Sequence, residues 1–380
     1  MKISGHRPAV SLRAFEGAAA ASLAGVSRGG PGRRTERPAL ALALAVLGAA
    51  GPAPGAPAST LDRELAAMGT RLQVRVEAAD RRSALAASEA AVRAVEAAEA
   101  RLSTWRQESE LARFNGSAPG LWVALSPALE RDLGQAARWW RETGGAFDPG
   151  VASLVAAWDL RAGGRVPKAG ELAAALQAAG LRHLEIADGR ARRAIDGFGV
   201  EEGGFGKGIA LDAAAGAAVA AGAQCVELEL GGQLAVAGDC GVRTIGIAHP
   251  RRRYEVVAWL ELRSGSAATS GNSERSVTIG GVPFGHLLDP STGRPVADWG
   301  SVTVVSQDPV AADCLATALY VMGPERGLRW ASAHPDVAAV FAVADGEALE
   351  LRATPGLRYR AAGAGPRSGP SPAAARVNSQ

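Results

Sequence analysis

From Cys225 onward the chain offers one short apolar segment after another, and this run constrains the fold more than any other feature. Val226–Leu230, Leu234–Ala237, Thr244–Ala248, Glu255–Leu262 and Ser301–Ser306 read as strands, and Val337–Ala344 returns to strand after helical stretches near 309–322 and 324–332. Strands adjacent in sequence, with helices set between groups of them, predict an α+β domain with mainly antiparallel pairing. Upstream, Gly69–Val76 alternates apolar and polar residues as a half-buried strand does, and Asp80–Leu102 reads as a long amphipathic helix with Leu85, Val92, Val95 and Leu102 on one face. Pro127–Glu142 and Glu171–Ala179 read as further helices, with loop from Trp158 to Lys168. No repeat or linker divides residues 59–352, so they are expected to form one domain.

Both ends of the chain differ from this middle. Arg33, Arg34 and Arg37 precede the apolar run Ala39–Ala50, and Ala56-Pro57-Ala58 follows as a small-x-small cleavage site, so residues 1–58 read as an N-terminal extension and signal peptide. The implied location is exported, periplasmic or cell-envelope, by the general or the twin-arginine route, and no Cys at the cleavage point indicates a lipid anchor. Residues 353–380, Gly/Pro/Ala/Ser-rich from 361, are expected as a disordered tail. The leader holds seven Lys/Arg and two Glu, so the other 34 basic and 36 acidic residues give the body a charge of about −2, and nucleic-acid binding gains no support. Three cysteines, Cys225, Cys240 and Cys314, are too few for a disulfide framework and match no zinc spacing; one bridge is open to them, and the sequence does not choose it.

The chemistry centres on Ala312–Leu319. Leu315, Leu319 and Met322 recur at helical spacing after the turn-forming Asp308-Pro309, which puts Asp313 and Thr317 four residues apart on one helix face. A carboxylate and a hydroxyl so placed suit a hard cation, magnesium rather than zinc, although a helix-start acid and a helix-face Thr are also ordinary features. Cys314, beside Asp313, reads as a small helix residue rather than a nucleophile. Gly203-Gly204-Phe205-Gly206-Lys207-Gly208 leads into the Ala-rich helix Ile209–Ala221, an arrangement able to present amides to phosphate or simply to cap the helix. It is neither a Walker loop nor a dinucleotide fingerprint.

Several islands stand in a fixed order: Met68-Gly69-Thr70, Phe114-Asn115, Gly144 to Pro149, Gly203 to Asp212, Leu230-Gly231-Gly232, Ala268 to Gly271, His286 to Pro295, and Ala312 to Leu319. With them the chain resembles the FAD:protein FMN transferases of the ApbE family over nearly all of residues 65–345. The resemblance implies a T-fold-like catalytic domain. It also implies magnesium-dependent transfer of FMN from FAD to a Thr or Ser of a target flavoprotein, with release of AMP; the acceptor would be a subunit of a membrane redox complex. Carried over position by position, Asp313, Thr317 and the backbone carbonyl of Gly206 would hold the metal. Met68, Trp105, Ala146, Phe147, Asp148, Gly203, Lys207, Ile209 and Leu287 would meet FAD, and His286 would take the proton from the incoming hydroxyl.

The chain departs from the family pattern where Ile209 replaces a common Tyr, Gln233 an Asp, Asn272-Ser273 an Asp-Tyr, and Asp159-Leu160 a Gly-Phe. Two other readings remain open at this point. One is hydrolysis of FAD to FMN and AMP by the same site, and the other is a non-catalytic, exported FAD-binding protein.

Overall fold

The computed structural model describes residues 59–272, 276–346 and 348–362, together with the strand Ala375–Asn378; the expected signal peptide lies outside them. Nine strands form one antiparallel sheet in which spatial order follows chain order: Ser59–Ala67, Thr70–Ala78, Ala223–Leu230, Gln233–Gly238, Gly265–Gly271, Gly300–Ser306, Ala338–Asp345, Ala348–Ala353 and Ala375–Asn378. The expected α+β organisation is therefore present, with the helices inserted between neighbouring strands.

The first hairpin turns on Met68 and Gly69, both left-handed with φ of 49° and 69°, which suits a two-residue turn between right-twisted strands. Next comes the helix Arg81–Leu102, whose N-cap Asp80 accepts a hydrogen bond from the Ser83 amide at 2.9 Å. Its buried face runs through Ala84, Ala87, Ala91, Val95 and Ala98, while Leu85, expected inside, is 51% exposed. Small residues take the inner face because the Ala-rich helix Gly206–Ala220 packs on it, so the apolar pattern of the larger side chains misplaces the stripe at its N-terminal end.

The helix Pro309–Met322 is the central one. Asp308 caps it by accepting from Val310 N at 2.8 Å and Ala311 N at 3.3 Å, and nearly every residue from Pro309 to Tyr320 is buried. It lies on the strands Gly265–Gly271 and Gly300–Ser306, and the small side chains of Gly-Ser-Ala-Ala-Thr-Ser-Gly let it approach closely. That same composition hides the strand Gly265–Gly271 from a pattern of apolar alternation.

A second, three-stranded sheet, Tyr359–Ala361, Val256–Leu262 and Arg243–Ala248, covers the far end of the main sheet by packing Ile247, Val257 and Leu260 on Val340, Leu349 and Leu351. This corrects the expected boundary of the tail: Tyr359 pairs with Leu260 and Ala361 with Ala258, so ordered structure continues beyond 352. Cys225 and Cys240 form a disulfide, and Cys314 is free and buried. No helix among the described residues is long and apolar enough to cross a membrane.

Candidate active site

The glycine-rich stretch is held by what surrounds it. A Cβ on Gly204 would stand 3.1 Å from Phe147 Cε2 and 3.2 Å from Thr317 Oγ1, and one on Gly206 would stand 3.3 Å from Met68 Cε and from the Glu202 side chain. One on Gly208 would fall 2.5 Å from the Pro309 carbonyl oxygen and 2.8 Å from Val310 Cα. Lacking side chains, these glycines bring four separate parts of the chain together: the Met68 hairpin turn, the Ala146-Phe147 segment, and the starts of the helices Gly206–Ala220 and Pro309–Met322.

Asp313 stands at the centre of this junction, 4% exposed. Its Oδ1 lies 3.0 Å from Lys207 Nζ, and its Oδ2 accepts from the Gly208 amide at 3.0 Å. An unpaired carboxylate at this depth would cost several kcal/mol or take up a proton. Here an ammonium and a backbone amide hold it, so the junction is already built to receive positive charge. Thr317 follows one helical turn later, half-buried beside Gly204, and Gly206 stands two residues beyond Gly204, at the start of the helix Gly206–Ala220. These donors, a buried carboxylate, a hydroxyl and a backbone carbonyl, are all hard oxygens, and that donor chemistry fits a hard divalent cation. Elsewhere among the described residues Glu77, Glu227 and Cys225 bring their side-chain ligand atoms within 4.8 Å of one another, but the cysteine is in the disulfide and both carboxylates bind Arg243, at 3.0 Å and 2.7 Å.

The structure gathers Met68, Phe147, Gly203, Gly206, Lys207, Asp313 and Thr317 of the expected residues at this junction; Lys207 Nζ also reaches the Gly203 carbonyl at 3.5 Å. Ala146 and Ile209 are buried in the main core beneath it, and Leu287 packs on the same core from the following segment. His286 is half-buried, between the strand Val282–Gly285 and the short strand Leu288–Asp289. Asp289, three residues on, closes its own turn by accepting from the Ser291 amide at 2.8 Å and the Ser291 hydroxyl at 2.7 Å.

Asp148 likewise serves the backbone. Its Oδ1 accepts from Gly150 N at 2.8 Å and Leu181 N at 2.9 Å, and burial pushes its carboxyl above the usual range despite these bonds. Burial also raises Glu201, against the opposing pull of Arg161. Cys314 is pushed well above the ordinary thiol value by burial, which leaves it a neutral helix residue rather than a nucleophile.

With this geometry in view, similarity to known proteins is decisive. The ApbE family model matches residues 68–341. The chain belongs to the ApbE family. An FAD:protein FMN transferase of Rhodobacter capsulatus is 35% identical over 260 residues, covering 66% of this chain and 49% of that protein, so the chain spans about half that relative's length. One from Vibrio cholerae is 33% identical over 241 residues, covering 61% of this chain and 72% of that protein. The solved flavin transferase ApbE from Vibrio cholerae superposes with a TM-score of 0.68 at 27% identity, covering 78% of this chain and 98% of that one.

The departures of this ApbE chain have physical readings. Asp159, where the family commonly has Gly, adopts a left-handed φ of 51°, a conformation Gly takes freely and Asp tolerates. Gln233, where the family commonly has Asp, is 1% exposed and donates from Nε2 to Ser266 Oγ at 3.1 Å and to the Pro309 carbonyl at 2.8 Å. A carboxylate could not donate to that carbonyl, so here the amide ties the sheet to the start of the central helix. Asn272 donates to the Val296 carbonyl at 3.0 Å; Ser273 lies outside the described residues. Thr104, Arg161, Glu201 and Glu202 border the site and were not singled out as ligand-binding residues from the sequence. Their only signal was the acidic pair directly preceding Gly203-Gly204.

Proposed function

We propose that this ApbE-family chain transfers the FMN moiety of FAD to a Thr or Ser hydroxyl of a target flavoprotein and releases AMP. The observation that carries this reading is the buried Asp313 carboxylate, paired with Lys207 where the glycine-rich turn meets the starts of two helices. The names of its relatives supply the substrate and the reaction type.

In the transfer, the acceptor oxygen bonds to the FMN phosphorus as the bridging P–O bond to AMP breaks, and the hydroxyl proton passes to a base. Such transfers depend mainly on positioning and on neutralising charge. Asp313, Thr317 and the Gly206 carbonyl are the donors for magnesium, which when bound would neutralise pyrophosphate charge. Lys207 adds a cationic side chain beside them, and Met68, Phe147 and Gly203 shape the adjoining wall. His286 is assigned the proton. Export to an oxidising compartment, for action on a membrane redox-complex subunit, agrees with the leader and with the Cys225–Cys240 bridge.

The test is incubation of the protein with FAD, magnesium and a flavin-carrying acceptor domain, followed by intact-mass measurement of the acceptor. One added FMN, absent when a chelator is present from the start of the incubation, is the expected result. AMP without added mass would indicate hydrolysis, and intact bound FAD a binding protein. Asp313→Asn keeps an acceptor for the Gly208 amide but removes the charge, so it should retain the fold and lose at least 100-fold in transfer, a conservative figure for removal of a charge-stabilising group (order of magnitude ~10²). Transfer at the wild-type rate would remove Asp313 from the metal set.

A further inference from the structure

The indole of Trp105 is 62% exposed just beyond the helix Arg81–Leu102, and the Arg161 guanidinium lies over it at 4.7 Å from the ring centroid. The arginine is not a loose surface side chain. Its Nη1 donates to the Thr104 carbonyl at 2.9 Å, and its Nη2 donates to Thr104 Oγ1 and to Glu201 Oε2, each at 2.6 Å. Thr104 Oγ1 also lies 2.5 Å from Glu202 Oε2, and the Glu202 side chain borders Gly206. A chain of short polar contacts therefore connects the exposed indole to the turn carrying the proposed metal-binding carbonyl.

We infer that Arg161 is a positioning residue for the dinucleotide: its anchored guanidinium fixes one face of Trp105 and thereby presents the indole as a stacking platform for a planar heteroaromatic ring. The inference rests on the proposed FAD reaction. A guanidinium is planar and stacks on aromatic faces while its N–H groups bond in the same plane, so one residue can hold the ring and remain tied to Thr104 and Glu201. The anchor must be rigid to matter, because a freely rotating exposed Trp would lose its side-chain freedom on binding. Glu201 supplies that rigidity as a half-buried carboxylate with Arg161 as its ion-pair partner.

The test compares the wild type with Arg161→Met, Arg161→Lys and Glu201→Gln by equilibrium binding of FAD, FMN and ADP, followed by KM and kcat for FAD. Arg161→Met should weaken FAD binding about fivefold, the scale of one cation–π contact, and raise KM alike while kcat changes less than twofold. Arg161→Lys, which keeps the charge but not the plane, should recover only part of the affinity, and Glu201→Gln should fall between. A matching loss for FMN would place the flavin ring on Trp105, and one for ADP the adenine. Thermal melting separates misfolding from lost positioning, and Glu201→Gln keeps the test available should Arg161→Met fail to fold. Wild-type affinity in the folded variants, or an equal fall of kcat with no change in KM, would overturn the role of Arg161 alone. A wild type that neither binds FAD nor releases AMP would overturn the FMN-transfer reading and this inference together.

Discussion

Asp148 and Asp313 show how neighbours set the work of a buried carboxylate. Asp313 meets an ammonium as well as an amide, whereas Asp148 meets backbone N–H groups of Gly150 and Leu181, and burial outweighs them and raises its carboxyl above the ordinary 3.8. The sign of the pH effect follows. Below 3.8 Asp148 is protonated folded or unfolded and contributes no pH dependence; as pH rises toward the raised folded value, the unfolded chain ionises first and stability is lost. Asp148→Asn retains an acceptor oxygen and removes this titration. Urea midpoints measured across the window just above 3.8 should therefore fall more steeply with rising pH in the wild type than in the variant. Parallel curves would show that Asp148 does not carry the proton uptake.

At the scale of elements, the start of the helix Gly206–Ala220 touches the start of Pro309–Met322 so closely that Gly208 has no room for a methyl group. The obstruction is the Pro309 carbonyl at 2.5 Å, which is backbone and cannot rotate away. Gly208→Ala should therefore destabilise by about 1–3 kcal/mol, as overpacking does, even though alanine favours helix. It should also pull the Gly208 amide from Asp313, so transfer activity should fall further than the loss of folded protein explains; denaturant melts and single-turnover rates measure the two effects. An alanine variant with unchanged stability would show that the helices can separate at no cost. This contact also marks how far the site was legible in the sequence. The four-residue spacing of Asp313 and Thr317 could be read directly, because helix geometry is local, and the family islands supplied Met68, Phe147 and Gly206. The ion pair with Lys207 could not be read, because Lys207 and Asp313 lie 106 residues apart and meet only when the two helices pack. Arg161 was missed for the same reason: nothing local distinguishes it from a solvated loop arginine until Trp105 and Glu201 are brought beside it. The strand Ser59–Ala67 carries Leu61 and Leu65 among charged residues and is only half-buried on one face, so its alternation was weak.

For the whole molecule, a sheet whose spatial order follows its chain order grows strand by strand, with its long helical insertion between Thr70–Ala78 and Ala223–Leu230. The Cys225–Cys240 bridge fastens the strand that receives the chain after that insertion to the connection leading toward the second sheet, across a separation of 15 residues. It sits beside Arg243, which pairs with Glu77 and Glu227 on neighbouring strands, so covalent and ionic ties act on the same corner. By loop-closure entropy a bridge of that span stabilises by about 3 kcal/mol, whereas the partly exposed ion pairs contribute less. The bridge joins a strand to a connection, whereas Lys207 and Gly208, which hold Asp313, stand at the start of the helix Gly206–Ala220, so its loss should act on stability before chemistry. We expect Cys225→Ala/Cys240→Ala to lower the thermal midpoint by roughly 5–10 °C while leaving transfer per folded molecule close to wild type. Calorimetry of the oxidised protein, the reduced protein and the double variant checks this directly. Coincident melts would show that the corner is held by Arg243 and the apolar packing without the disulfide; a fall in turnover at low temperature, with the fold intact, would show that strain at this corner reaches the active site.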